Sequence, residues 1–97
     1  MSAYLILNFT IDDPEPYAEY NQGAGEAFDI GVPFKMIVGD RATENLEGDT
    51  GTLTAIFEFE SKEDARKIYD SEAYQALIPK RLATTSKHFG VLVDGLS

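Results

Sequence analysis

Residues 3–11, AYLILNFTI, alternate with period two and are largely apolar on both sides. Ala3, Leu5, Leu7, Phe9 and Ile11 share one face; Tyr4, Ile6, Asn8 and Thr10 share the other. Strict alternation with aromatic and branched side chains specifies a strand. A strand with two apolar faces needs cover on both, which places it in the middle of a sheet. The chain has 97 residues, enough for one domain, 1–97, that buries only about 60–65% of the surface its unfolded form exposes. It can fold alone, and an oligomer would help it.

The remaining elements follow from capping and periodicity. Asp13 is the expected N-cap of a helix of about four turns, with Pro14 at its first position and Glu15 in its first turn. Tyr17, Tyr20, Ala24 and Phe28 recur at helical spacing, Gly23 and Gly25 weaken the middle, and Gly31 and Pro33 end it. Phe34–Gly39 reads as a second strand with Phe34, Met36 and Val38 on one face. A polar hairpin loop follows, and 51–60 reads as a third strand with Leu53, Ala55, Phe57 and Phe59 on its apolar face. Ser61 opens a second helix in a capping-box pattern with Asp64, and Ser71 opens another short one carrying Ala73, Tyr74, Leu77 and Ile78. Pro79 is expected to break or kink it. His88–Val93 closes the chain as a strand in which Phe89, Val91 and Val93 alternate.

The order strand, helix, strand, strand, helix, strand is the ferredoxin-like split pattern, an α+β fold with a four-stranded antiparallel sheet. Its helices cover one sheet face only. The second apolar face of residues 3–11 therefore calls for another partner, and a second copy of the chain is the simplest supply. The expected assembly is a homodimer.

Composition removes several function classes. There is no Cys and a single His, which excludes disulfides, thiol nucleophiles, Cys-ligated zinc and a multi-histidine metal site within one chain. The net charge is −9, which speaks against nucleic acid and anionic membranes as partners. No apolar run reaches the roughly 20 residues of a membrane span, and the first residues do not read as a secretory signal. A cytoplasmic location is the default expectation. Residues 1–60 hold two basic side chains, Lys35 and Arg41, against twelve acids, whereas 61–97 hold six against five. An anionic ligand is thus expected near Lys80, Arg81 and Lys87, unless these are simply a solvated surface.

The segments AYLILNFTIDDPEPYAEY, LEGD, FEFESKEDARKIYDSEAYQALIPKRLA and VLVDG resemble the domain-of-unknown-function 1330 family. DPEPYAEY and YDSEAYQALIPKR carry the resemblance most specifically, and Gly39-Asp40 departs from the family's usual glycine pair. The resemblance implies a dimeric α/β barrel: a ferredoxin-like subunit paired through sheet faces. Relatives in that superfamily include cofactor-independent monooxygenases, muconolactone isomerases and haem-binding enzymes. Fold alone transmits none of these activities.

Six side chains are candidates for ligand binding and two for catalysis. Glu58, between Phe57 and Phe59, is a candidate general base; the alternative is an ion pair with a Lys or Arg of a second subunit, or exposure at the barrel rim. His88 is the other candidate base, or an exposed residue at the start of a strand. Arg81 matches the arginine of the family motif, and its planar fork suits a carboxylate, phenolate or enolate. It is expected to line or rim a cleft, with Glu58 or Asp70 as its carboxylate when no ligand is bound; the alternative is a bridge to Asp70 or Glu72. Tyr17, Tyr20, Tyr69 and Tyr74, with Asn8, complete a possible mostly apolar cleft, although each tyrosine is also a natural core aromatic. Ser71 lacks a neighbouring base and reads as an N-cap. The acidic loop 44–49 lacks calcium-loop spacing. No metal or cofactor is expected. Three functions remain open: a cofactor-independent enzyme, monooxygenase- or isomerase-like, acting on a small aromatic or acidic compound; a non-catalytic module binding such a ligand; or a purely structural dimer.

Overall fold

The computed structural model describes residues 2–96. Strand β1 (Ala3–Ile11) is followed by helix α1 (Pro14–Phe28), strands β2 (Phe34–Asp40) and β3 (Leu53–Phe59), helices α2 (Lys62–Tyr69), α3 (Glu72–Gln75) and α4 (Ile78–Thr84), and strand β4 (Thr85–Asp94). The sheet runs β2-β3-β1-β4 and every pairing is antiparallel. This is the ferredoxin-like α+β fold, with β1 central because both of its faces are apolar.

Alternation divides the sheet cleanly. Ala3, Leu5, Leu7, Phe9, Leu53, Ala55 and Phe59 are buried against the helices. Burying one large apolar side chain of this kind contributes roughly 1.5–3 kcal/mol. Tyr17, Tyr20, Ala27 and Phe28 meet them from α1, Ala65 and Ile68 from α2, and Tyr74 from α3. The opposite, open face carries Ile6, Ile56, Val91 and Val93, brought side by side by the register Ile6↔Ile56, Ile6↔Val91 and Tyr4↔Val93. Phe89 stands opposite Asn8 on the same face and is 47% exposed.

Some local expectations need correction. The spacing of Phe34, Met36 and Val38 puts all three on one face, but the register shifts between Met36 and Val38. Val38 then pairs with Ile56 and joins the open face, while Phe34 and Met36 pair with Phe59 and Phe57 on the helix face. One extra residue in a strand inverts everything beyond it. Helix α1 ends at Phe28; Asp13 is its N-cap residue, as expected, but makes no side-chain capping bond. Ser61 and Ser71 do cap, accepting from the amides of Asp64 and Tyr74. Pro79 does not kink a continuing helix. It sits in the first turn of α4, where its missing N–H has no partner to lose. Strand β4 begins at Thr85, three residues earlier than its alternation suggests, with Lys87 at φ 54° where β4 shifts register against β1.

Candidate functional site

Two aromatic side chains of α1, Tyr17 and Phe28, meet rings of the sheet, and Tyr20 packs beside Tyr17. Tyr17 meets Phe9 at 5.7 Å between ring centroids, Phe28 meets Phe57 at 4.9 Å, and Tyr17 meets Tyr20 at 5.5 Å. Towards the β2 edge no other helix among the described residues continues the cover. The result is a cleft of about 430 Å³ between α1 and the β2–β3 half of the sheet. Phe9, Phe57, Leu53 and Ala55 form its floor, and Tyr17, Tyr20, Ala24 and Phe28 its roof. Phe34 and Met36, at 41% and 54% exposure, stand at its open side. Gly25 lies on the α1 side with open space where a Cβ would sit.

The polar side chains lining this cleft are few among the described residues: Tyr17, Tyr20, Asn21 and Arg41. Burial, reinforced by Tyr20, pushes the Tyr17 phenol up to about 12, although Arg41 pulls in the opposite direction. Tyr17 is therefore a neutral hydrogen-bond donor at physiological pH. Arg41 is exposed and forms no ion pair among the described residues. Its neighbour Asp40 accepts from the Ala42 amide through Oδ1 at 2.8 Å.

The structure separates the residues singled out from the sequence. Tyr17 and Tyr20 line the cleft; Asn8, Glu58, Tyr69, Tyr74, Arg81 and His88 do not. Asn8 is buried on the open-face side and its amide is fully engaged. Its Nδ2 donates towards the carbonyls of Gly51 and Leu53 at 3.3 and 3.1 Å and to Thr54 Oγ1 at 3.0 Å, while its Oδ1 accepts from the Gly51 amide at 2.7 Å. It pins the start of β3 to β1, at a point where a Cβ on Gly51 would fall inside the Phe9 backbone. Glu58 lies on the open face and accepts from the Tyr4 hydroxyl at 3.0 Å, which holds that phenol above its ordinary pKa. His88 is exposed on β4. Tyr69 borders a second, smaller hollow of about 150 Å³ beneath α2, beside Arg66 and Gly90.

Arg81 departs most from expectation. It is 7% exposed, in the middle of α4, and neither Glu58 nor Asp70 is its partner. Asp70 pairs with Arg66 instead, at 3.0 Å. Arg81 Nη1 donates to the Tyr74 hydroxyl at 2.9 Å, Tyr74 and Tyr20 share a hydrogen bond of 2.7 Å, and the guanidinium lies 5.9 Å from the centre of the Tyr20 ring. Its Nε is buried without a partner. Burial works against the charge, but the Tyr74 and Tyr20 phenols outweigh it and hold the Arg81 pKa above the ordinary arginine value. Burial, aided by Tyr20, drives the Tyr74 phenol upward. Tyr20 consequently offers its ring to the cleft while its hydroxyl is taken up behind the wall. The basic cluster expected around Lys80 and Lys87 is also committed, Lys80 to Glu19 at 3.5 Å and Lys87 to Asp49 at 3.0 Å.

Sequence reasoning missed Arg41, Asn21, Phe34, Met36 and Phe57 as cleft residues. The signal was present only for Arg41, one of two basic side chains in an acidic first half.

The order βαββαβ and an antiparallel sheet running β2-β3-β1-β4 define the ferredoxin-like class. The chain belongs to the family described as domain of unknown function 1330, whose model matches residues 2–96. No curated protein matches it in sequence. Among solved structures it is similar to a protein of unknown function from Rhodopseudomonas palustris, with 15% identity over 99% of this chain and 83% of that one and a TM-score of 0.76. It is also similar to a dimeric ferredoxin-like protein of unknown function from Thermobifida fusca, with 11% identity over 98% and 92% and a TM-score of 0.66. A third similar structure is SnoaB, a cofactor-independent oxygenase from Streptomyces nogalater, with 10% identity over 99% and 94% and a TM-score of 0.67. At these identities the likeness is one of fold. Among the described residues no helix is long and apolar enough to cross a membrane.

Proposed function

We propose that the chain is a homodimer, closed through the open sheet face, in which the cleft of each subunit binds a small aromatic compound. The cleft carries the reading: it is about 430 Å³, floored and roofed by aromatic side chains, with a small number of polar groups. Rings recognise rings through offset and edge contacts worth about 0.5–1.5 kcal/mol each beyond simple burial. The dimer is supported by Phe89, Val91 and Val93, 47%, 42% and 38% exposed on one strand, and by the dimeric description of the Thermobifida fusca neighbour.

Binding is favoured over catalysis because the two candidate bases stand outside the cleft, Glu58 on the opposite sheet face and His88 on the exposed surface of β4. A cofactor-independent enzymatic role draws support from the fold likeness to SnoaB. Within the cleft it would rest on Tyr17 as donor to a developing oxyanion, not on Glu58 or His88. A purely structural dimer fits poorly with an unfilled space of this size beside the core. Calorimetric titration with bicyclic aromatics tests the proposal. Saturable binding that is lost in Ala24→Trp, which fills the roof, is the expected result. Equal binding by that variant, with its fold intact, contradicts it.

A further inference from the structure

The polar groups of the cleft are unequal in what they can still bond. Tyr20 has given its hydroxyl to Tyr74. Tyr17 makes no hydrogen bond through its hydroxyl among the described residues, and it stays protonated far above neutral pH. Asn21 is exposed at the edge. Arg41 is the one cation on the lining. It sits in a region where twelve of fourteen charged residues are acidic (residues 1–60: twelve acids, two bases). Such surroundings offer it ready ion-pair partners, yet it has none among the described residues, and the adjacent Asp40 carboxylate is turned to the Ala42 amide. Arg41 and Tyr17 line the same cleft. A cation and a neutral O–H donor thus belong to the same apolar wall, with no acceptor side chain committed to either among the described residues.

We infer that Arg41 and Tyr17 together recognise an anionic oxygen on the ligand, so that the cleft selects planar aromatic carboxylates, phenolates or enolates over neutral aromatics. The inference rests on the aromatic-ligand reading of the cleft and narrows it to a charge class. The chemistry is simple. The ring system occupies the space between Phe9, Phe57 and Phe28, and its anionic oxygen emerges towards the Arg41 fork, where Tyr17 donates a second hydrogen bond. A planar guanidinium suits a carboxylate in two-point contact. The neutral phenol adds a donor that does not need to be deprotonated or desolvated as an ion. The chain's overall negative charge repels anions at long range, so selection for one must come from these local donors.

The test compares 2-naphthoate with its neutral isostere 2-naphthylmethanol, by calorimetry on the full chain, in wild type, Arg41→Gln and Tyr17→Phe. Wild type should bind the carboxylate about tenfold more tightly than the alcohol, the scale of one charge-assisted hydrogen-bonded contact. Arg41→Gln should erase that preference by weakening the carboxylate about tenfold more than the alcohol; Arg41 is exposed and forms no ion pair among the described residues, so the fold should survive. Tyr17→Phe should reduce the preference by a smaller factor. Equal affinity for the two probes in wild type overturns the inference while leaving the aromatic cleft standing, as does an Arg41→Gln variant that weakens both probes alike. Failure of both probes to bind wild type overturns the cleft reading itself and the inference with it.

Discussion

The guanidinium of Arg81 donates to the hydroxyl of Tyr74 at 2.9 Å, inside the helical layer and with no carboxylate among the described residues beside it. A buried cation held only by phenols is an asymmetric arrangement. Removing the cation leaves Tyr20 and Tyr74 still bonded to each other; removing the Tyr74 hydroxyl takes from the buried cation the acceptor of its Nη1. Arg81→Met should therefore change the unfolding free energy by less than about 1 kcal/mol, whereas Tyr74→Phe should cost about 2–3 kcal/mol. Urea denaturation of the two variants measures this. A larger loss in Arg81→Met than in Tyr74→Phe contradicts the account.

The buried phenols predict an alkaline limit to stability. In the folded chain Tyr17 is raised to about 12 from the ordinary value of 10.0, and Tyr74 is raised as well. A tyrosine raised in the folded state holds its proton where the unfolded chain has lost it. Its contribution is complete below about pH 10 and disappears as pH climbs through the folded pKa. For Tyr17 the effect is about 2–3 kcal/mol. With five tyrosines and no tryptophan, tyrosinate absorbance reads the titration directly. Tyr17 and Tyr74 should ionise late and together with unfolding, and Tyr17→Phe should flatten the fall in stability between pH 10 and 12. Five phenols that all titrate near pH 10 without unfolding would be inconsistent with this burial.

The open sheet face predicts self-association. Val91 stands opposite Ile6 at its centre. A carboxylate there is harmless to a monomer but must be desolvated in a dimer, which costs several kcal/mol. Sedimentation at micromolar concentration should show a dimer for wild type and a monomer for Val91→Asp, with the two circular dichroism spectra alike. A monomeric wild type would show that the face is covered by something other than a second copy.

Much of the fold was legible because period two and period 3.6 are local properties of the chain. The alternation of residues 3–11 alone placed the central strand, and the serines at 61 and 71 marked their helix starts. The face of Val38 was not legible, because a bulge depends on the partner strand and leaves no mark in its own sequence. The site was less readable still. Helical spacing says that Tyr17 and Tyr20 face the sheet, but not how far their rings hold α1 away from it, and that separation is what makes the cleft. Arg81 looked like a ligand clamp because its chemistry suits one. Its neighbours Tyr74 and Tyr20, distant by 7 and 61 positions, absorb it instead. Arg41 looked like a loop residue, and only the fold of β2 against β3 brings it to the cleft.

The location of binding is the most direct test of the central claim, that the cleft under α1 is the functional site. Amide chemical shifts should be followed by heteronuclear NMR while 2-naphthoate is titrated into the full chain. The account predicts saturable perturbations clustered on the α1 stretch from Tyr17 to Phe28 and on the segment from Phe34 to Arg41, with Glu58 and His88 unmoved. Perturbations centred on Glu58, His88 or the α2–β4 hollow, or none at saturating ligand, would contradict it.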